Sequence, residues 1–327
     1  MYSLLKDIFN PKNWIKLLLN PKKIKIVYDR MFYYPGLKFG YSRSYLYKKI
    51  LIKSTIFFAR RNKRFKEIFF SKSNGNSLEK IYFQSTENIL DEAQIESLNA
   101  NGILVLENVL NDKEHKIIQS DFNEYSNSVY SETVKGKSSE ILMKRIDKDF
   151  NKDSYLTSIS NIITKKIYGK LIQPTHHYMY SKSINIPEKI SPGDNIMHVD
   201  RFLPNLKLIY FPFNVGPGCA PFRYALGSHK INNNYLDFFI NNKSWIFDER
   251  NSDAKQFLTN IKEIPVIENS LVIALTNGFH SRTPFKEKTE RAALFFNYPK
   301  FNLLSLMIPK NWFYRVFILE VSCMFID

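Results

Sequence analysis

The chain has 327 residues, 44% of them hydrophobic and 24% charged. That length and balance suit a folded protein with a full core and exclude a disordered polar chain. Two cysteines, Cys219 and Cys323, cannot build a disulfide framework or a cysteine-rich zinc site, so the sequence reads as a cytoplasmic protein of a reducing compartment.

The net charge of +16 is unevenly placed. Residues 1–80 hold 19 Lys/Arg against 4 Asp/Glu, a net of +15, whereas residues 81–327 hold 28 against 27. An asymmetry of this kind divides the chain into two environments. Residues 1–80 read as a basic helical extension. Leu4, Leu5, Ile8 and Phe9 fall at helical spacing, Pro11 restarts the chain, and Trp14, Ile15, Leu17, Leu18 and Leu19 follow before Pro21. Arg60, Arg61, Lys63, Arg64 and Lys66 cluster near Phe57, Phe58 and Phe65. No apolar run approaches the roughly 20 residues of a membrane span, and Pro11, Lys12 and Lys16 interrupt any signal-peptide core. Three readings stay open for this segment. It packs on the main domain with a solvated basic face, it lies peripherally on an anionic membrane, or it binds nucleic acid. The last is disfavoured because no recognised nucleic-acid motif accompanies the charge.

The Ser/Asn/Gly stretch Ser71–Ser77 marks a boundary, which gives an extension over 1–80, a main domain over 81–300 and an apolar C-terminal segment over 301–327 that packs on the core or at a membrane surface. In the main domain, Thr86 to Asn99 reads as a helix ended by Asn101-Gly102. Ile103 to Leu106 is a short buried strand, and Asn111 or Asp112 caps a helix running toward Tyr125. Residues 126–150 read as a polar loop, and Ser154 to Ile167 as a helix. Leu171 to Ser181 alternates as a strand, with His176, Tyr178, Tyr180 and Lys182 on one face. The adjacent His176 and His177 point to opposite faces and cannot share an ion without a bulge.

The stretch Asn195-Ile196-Met197-His198-Val199-Asp200 carries the chemistry. In a strand, His198 and Asp200 project to one side, and together they supply two thirds of a 2-His-1-carboxylate set for iron(II). Leu206 to Val215, Cys219 to Leu226, Ser270 to Thr276 and Ala292 to Tyr298 read as further strands. Gly227-Ser228-His229-Lys230 reads as a turn rather than a ligand segment, and Cys219 as a small buried residue. Asn277-Gly278-Phe279-His280 places a histidine at a strand end, and Arg291 follows eleven residues later. Many short strands separated by turns suggest a closed or double-sheet β architecture, in which His198, Asp200 and His280 can face one another across one mouth. A buried Arg291 calls for an anion, with a carboxylate as its natural partner. Iron with open positions and a carboxylate clamp specify a 2-oxo acid cosubstrate.

The ordered set His198-x-Asp200, Gly227-Ser228-His229-Lys230, His280 and Arg291 resembles the phytanoyl-CoA dioxygenase family of iron(II)/2-oxoglutarate oxygenases. Gln94 to Val109, a helix followed by Gly-Ile-Leu-Val-Leu, is similar to that family's opening. The resemblance covers about residues 83–300. It implies a double-stranded β-helix (jelly roll) core with flanking helices, mainly β overall. It also implies iron(II) on His198, Asp200 and His280, 2-oxoglutarate on Arg291, and Lys182 near the cosubstrate. Two positions depart from the family's pattern: Arg282 stands where a small hydroxyl residue is common, and Val199 where Gln is frequent. Arg282 and Tyr180 are then candidate substrate contacts.

The activity so implied is hydroxylation of an unactivated C–H bond of a small-molecule or lipid-like substrate with molecular oxygen. Asp200 keeps the carboxylate that a halogenase of this type lacks. Two other classes remain open. One is a cupin-type metalloenzyme without 2-oxoglutarate, which would lack a buried basic residue behind the metal. The other is a non-catalytic membrane- or partner-binding protein on the same barrel.

Overall fold

The computed structural model describes residues 57, 60, 63–72, 77–78, 80–128, 134–135, 139–145, 155–169, 171–172, 174, 176–184, 195–200, 204–241, 248–286 and 289–298. The expectations for the apolar and basic runs of 1–56, for most of the Ser71–Ser77 linker and for 301–327 fall outside these residues.

The described chain combines two sheets with flanking helices. Helix Lys63–Phe70 comes first, followed by β1 (Lys80–Tyr82), helix Glu92–Asn101, β2 (Ile103–Glu107) and helix Asp112–Ser128. Then come β3 (Val134–Lys135), β4 (Ser139–Arg145), helix Tyr155–Tyr168, β5 (His176–Ile184), β6 (Leu206–Phe211) and β7 (Phe222–Ala225). Helix Asn233–Asn241, a 3₁₀ turn at Ser252–Phe257, β8 (Ile261–Ile264), β9 (Ser270–Leu275), β10 (His280–Arg282) and β11 (Thr289–Asn297) complete the order. One sheet runs β1-β2-β9-β6-β11-β5-β4-β3 and a smaller one runs β10-β7-β8. The β1/β2 pair is parallel and the other pairs are antiparallel. From β6 onward the chain passes from the large sheet to the small one at β7, returns at β9, crosses again at β10 and returns at β11.

Strand alternation divides the core. Leu206, Leu208 and Tyr210 of β6 join Leu271, Ile273 and Leu275 of β9 and Ala292, Leu294 and Phe296 of β11 in a cluster with the helices. The intervening residues Ile209, Phe211, Val272, Ala274 and Ala293 form a second cluster with Phe222, Tyr224 and Ile264 of the small sheet. The period of two thus sends one set of side chains toward the helices and the other between the sheets.

Local signals account for the helix ends. Asp91 accepts a hydrogen bond from the Gln94 N–H at the start of one helix, and Gly102 ends it in the left-handed region at φ 79, where glycine escapes the Cβ penalty. The Asn111 side chain accepts from the Glu114 N–H at 3.0 Å and opens the next helix. Helix Lys63–Phe70 lies within the basic segment, yet Phe65, Ile68 and Phe69 are wholly buried in the helix-side cluster.

Several elements differ from the expectations. The loop read over 126–150 contains β4, which pairs with β5 along its whole length. The three-residue apolar centre of β4, Ile141-Leu142-Met143, is flanked by polar residues, and pairing near the sheet edge completes the strand. Helix Asn233–Asn241 and β8 were not expected, although Tyr235, Phe238 and Phe239 stand at helical spacing and are buried. The segment around His198 is not a regular strand, and it joins the sheet through isolated bridges from His198 to His280 and to Asp248.

Candidate metal centre

The bridge between His198 and His280 organises the site. Each donates its backbone N–H to the other's carbonyl, at 2.9 and 2.8 Å. Directly paired antiparallel residues carry their side chains to the same face, and the two imidazole centroids lie 4.8 Å apart. Asp200 is tied to the same region by its N–H to Thr276 O at 3.0 Å, and Thr276 N–H in turn donates to Asn205 O at 2.9 Å.

The turn before His280 is held from several sides. Phe279 N–H donates to Ser228 Oγ at 2.8 Å and Tyr235 OH donates to Asn277 O at 2.9 Å. A Cβ on Gly278 would lie 2.7 Å from Tyr224 Cζ, so only glycine lets this backbone pass the ring. Tyr224 OH itself donates to Leu275 O at 2.7 Å.

His198, Asp200 and His280 each offer one donor atom, all within 4.8 Å of one another. Asp200 Oδ1 lies 3.5 Å from His280 Nε2 and 3.9 Å from His198 Nε2. Both rings turn Nδ1 to a backbone carbonyl, His198 to Ile196 O at 2.7 Å and His280 to Gly278 O at 2.9 Å. A carbonyl only accepts, so Nδ1 carries the proton and Nε2 presents its lone pair to the centre. Burial, and then the neighbouring His280, hold the His198 imidazole below its ordinary pKa, which favours the neutral ring. Burial works against ionisation of Asp200, but Lys207 and His280 override it and hold the carboxyl well below the usual carboxylate range. Two imidazole lone pairs and an anionic oxygen facing one point repel one another unless a cation lies between them. Mixed nitrogen and oxygen donors of this kind suit a divalent transition metal, so the residues fit the expected ion.

Arg291 is buried on β11. It shares a strand face with Ala293 of the inter-sheet cluster, and its guanidinium carbon lies 5.4 Å from the Phe211 ring centroid. Lys182 and Tyr180 stand on β5, with Lys182 directly opposite Arg291 and Tyr180 opposite Ala293 in register. The side chains of both fall outside the described residues, as do those of His176 and His177. Arg282 is buried two residues beyond His280, over the Phe285 ring at 5.2 Å, and Nη1 donates to Thr283 O at 3.2 Å. The His280 ring stacks on Phe222 with centroids 5.5 Å apart.

His229 stands apart from the metal donors. It is fully buried, with Nε2 3.2 Å from Ile68 O. Cys219 is half-buried and forms no disulfide among the described residues. The sequence reading did not single out Lys207, whose Nζ lies 2.7 Å from Asp200 Oδ2. Its signal was present: Lys207 alternates in β6 with the helix-facing Leu206 and Leu208, on the face of Ile209 and Phe211.

No protein-family model matches the sequence, and no curated protein matches it. Solved structures give distant matches. HygX from Streptomyces hygroscopicus with nickel and 2-oxoglutarate bound is 13% identical, with 64% of this chain and 87% of HygX covered at a TM-score of 0.41. AviO1 from Streptomyces viridochromogenes Tue57 is 14% identical over 64% of this chain and 95% of AviO1, with a TM-score of 0.45. SnoK, a non-heme alpha ketoglutarate dependent carbocyclase from nogalamycin biosynthesis, is 13% identical over 66% of this chain and 85% of SnoK, also at 0.45. HygX has also been crystallised with iron bound. Among the described residues no helix is long and apolar enough to cross a membrane.

Proposed function

We propose that the chain is an iron(II)- and 2-oxoglutarate-dependent oxygenase of the phytanoyl-CoA dioxygenase type, built on a double-stranded β-helix, that hydroxylates an unactivated C–H bond of a small or lipid-like molecule. The observation that carries this reading is the convergence of one donor atom each from His198, Asp200 and His280 within 4.8 Å, with both Nε2 atoms within 3.9 Å of Asp200 Oδ1. The passage of strands between an inner pair of antiparallel sheets supports the fold assignment.

In this reading His198, Asp200 and His280 hold the iron, which when bound with 2-oxoglutarate supplies the oxidising chemistry. The carbonyls of Ile196 and Gly278 fix each Nδ1–H, so neither imidazole turns its protonated nitrogen to the centre. Arg291 receives the distal carboxylate of 2-oxoglutarate from between the sheets, where low polarity strengthens a two-pronged guanidinium–carboxylate contact. Lys182, opposite it in register, adds a second cation for the cosubstrate. Phe222 and Phe211 line the approach and exclude water, which limits side reactions. Arg282 and Tyr180 serve the substrate.

The domain division at 80 and 300 belongs to the same reading, as does a peripheral role for residues 1–80 at an anionic membrane. That role is supported by the segment's net charge of +15 and by Trp14 among Leu and Ile. It would bring a lipid-like substrate within reach.

The testing experiment is anaerobic titration with iron(II) and 2-oxoglutarate, watching for the weak visible metal-to-ligand band. Appearance of the band supports iron and cosubstrate together. Iron(II) binding without a band leaves a metal protein that does not use 2-oxoglutarate.

A further inference from the structure

The two oxygens of Asp200 have different partners. Oδ1 faces His280 Nε2 at 3.5 Å and His198 Nε2 at 3.9 Å. Oδ2 lies 2.7 Å from Lys207 Nζ. Lys207 is anchored on β6, which is paired on both sides: Lys207 stands opposite Ala274 of β9 and Asn297 of β11. Its side chain starts on the face of Ile209 and Phe211, both buried between the sheets. An ammonium leaving so apolar a wall needs an anion, and Asp200 supplies it.

A carboxylate can ligate a cation through one oxygen or through both. Resting on the iron(II)/2-oxoglutarate reading above, we propose that Lys207 is a positioning residue whose ammonium holds Oδ2 of Asp200. The carboxylate then offers the metal Oδ1 alone. The position that a two-oxygen carboxylate would occupy stays open for 2-oxoglutarate. The bond also fixes the rotation of the carboxylate, so Oδ1 is presented to both imidazoles.

This role has a sign that a merely structural lysine does not share. A cation beside the site repels a second cation, so its removal strengthens binding of the bare dication. Freed from Lys207, Asp200 would use both oxygens, adding a bond to the metal and blocking the cosubstrate. A lysine that only builds the pocket would, on removal, loosen the three donors and weaken metal binding.

The experiment uses the full chain with Lys207→Met and Lys207→Arg. Two quantities are measured: Mn(II) affinity from loss of the free-ion electron paramagnetic resonance signal, and the anaerobic iron(II)/2-oxoglutarate visible band. For Lys207→Met the expected result is Mn(II) binding about 3- to 10-fold tighter than wild type, with the visible band lost. Lys207→Arg, which keeps a cationic donor, should retain the band. Weaker Mn(II) binding by Lys207→Met, or a band of wild-type strength in it, overturns the proposal. If that variant does not fold by circular dichroism, Lys207→Gln, neutral and one atom shorter, is judged by the same two results. A wild-type chain that binds Mn(II) but shows no band, or binds neither, overturns the cosubstrate or iron reading itself and is distinct from either result in the variants.

Discussion

His198 and His280 exchange both backbone hydrogen bonds, at 2.9 and 2.8 Å, although neither neighbouring stretch of His198 forms a strand. That single pair aligns the two imidazoles, so the candidate metal centre depends on the turn that delivers His280. Gly278 is the point in that turn where any side chain would strike the Tyr224 ring.

Gly278→Ala should therefore damage the site as well as the fold. The added methyl meets a ring that is fully buried and hydrogen-bonded to Leu275 O, so neither side yields easily. A loss of about 1–3 kcal/mol is expected from overpacking of this kind. Urea denaturation would show a lowered midpoint at unchanged slope. Mn(II) affinity should fall too, because the turn carries the carbonyl that orients the His280 ring. Wild-type affinity in a folded variant would separate the turn from the metal centre.

Arg291→Ala tests the cosubstrate clamp. Removing one partner of a desolvated charge pair costs about 2–5 kcal/mol. The 2-oxoglutarate affinity of the iron-loaded chain should fall by about 100-fold, which corresponds to ~2.7 kcal/mol. Mn(II) affinity should change little, since Arg291 is not one of the three converging donors. Equal losses of both would mean that Arg291 supports the barrel wall rather than the cosubstrate.

His229 gives the fold a pH dependence independent of the metal. Burial first, and Lys230 second, lower its imidazole pKa to about 3 from an ordinary 6.5. The unfolded chain then binds a proton that the folded chain refuses, so stability present above 6.5 is lost as pH falls toward 3. Each pH unit in that window costs about 1.4 kcal/mol. Lys230, lowered by burial to about 7 from 10.5 with partial offset by Glu67, adds the same direction between those values. Urea midpoints should thus rise from about pH 5 to about pH 9, and His229→Gln should flatten the acidic part. An unchanged acidic slope in that variant would remove His229 as its source.

Much of this arrangement was legible in the residues, for identifiable reasons. The period-two strands β6, β9 and β11 are long and apolar enough to declare themselves. A histidine after Asn277-Gly278 marks a turn feeding a strand. Asn111 marks one helix start, whereas the helix expected from Thr86 begins only at Glu92, after the Asp91 cap. What was hidden depends on contacts distant in sequence. β4 has an apolar centre, Ile141-Leu142-Met143, too short to stand out within a polar stretch, and pairing with β5 makes it a strand. The His198 segment needed no strand of its own, because one backbone pair with His280 suffices. Lys207 stood out as a charge on the inter-sheet face of an apolar strand, but its partner did not, because only the approach of β6 to the 195–200 segment gives it Asp200.

The remaining prediction links metal binding to stability. A ligand that binds only the folded chain stabilises it by about 2.7 kcal/mol when present at 100 times its dissociation constant. Each kcal/mol raises the Tm of a domain of some 150–250 residues by about 2–4 °C. Saturating Mn(II) should therefore raise the Tm of the wild-type chain by roughly 5–10 °C, and EDTA should reverse the shift. Asp200→Ala and His280→Ala each remove one of the three converging donors. Asp200→Ala also leaves Lys207 without the carboxylate it now holds at 2.7 Å, so its metal-free Tm should fall as well. His280→Ala, whose ring makes its hydrogen bond to Gly278 O within its own turn, should disturb the metal-free fold less. Both variants should lose the Mn(II)-dependent rise. A full rise in either one, measured by differential scanning calorimetry, would rule out the three-residue centre as the ion's binding place.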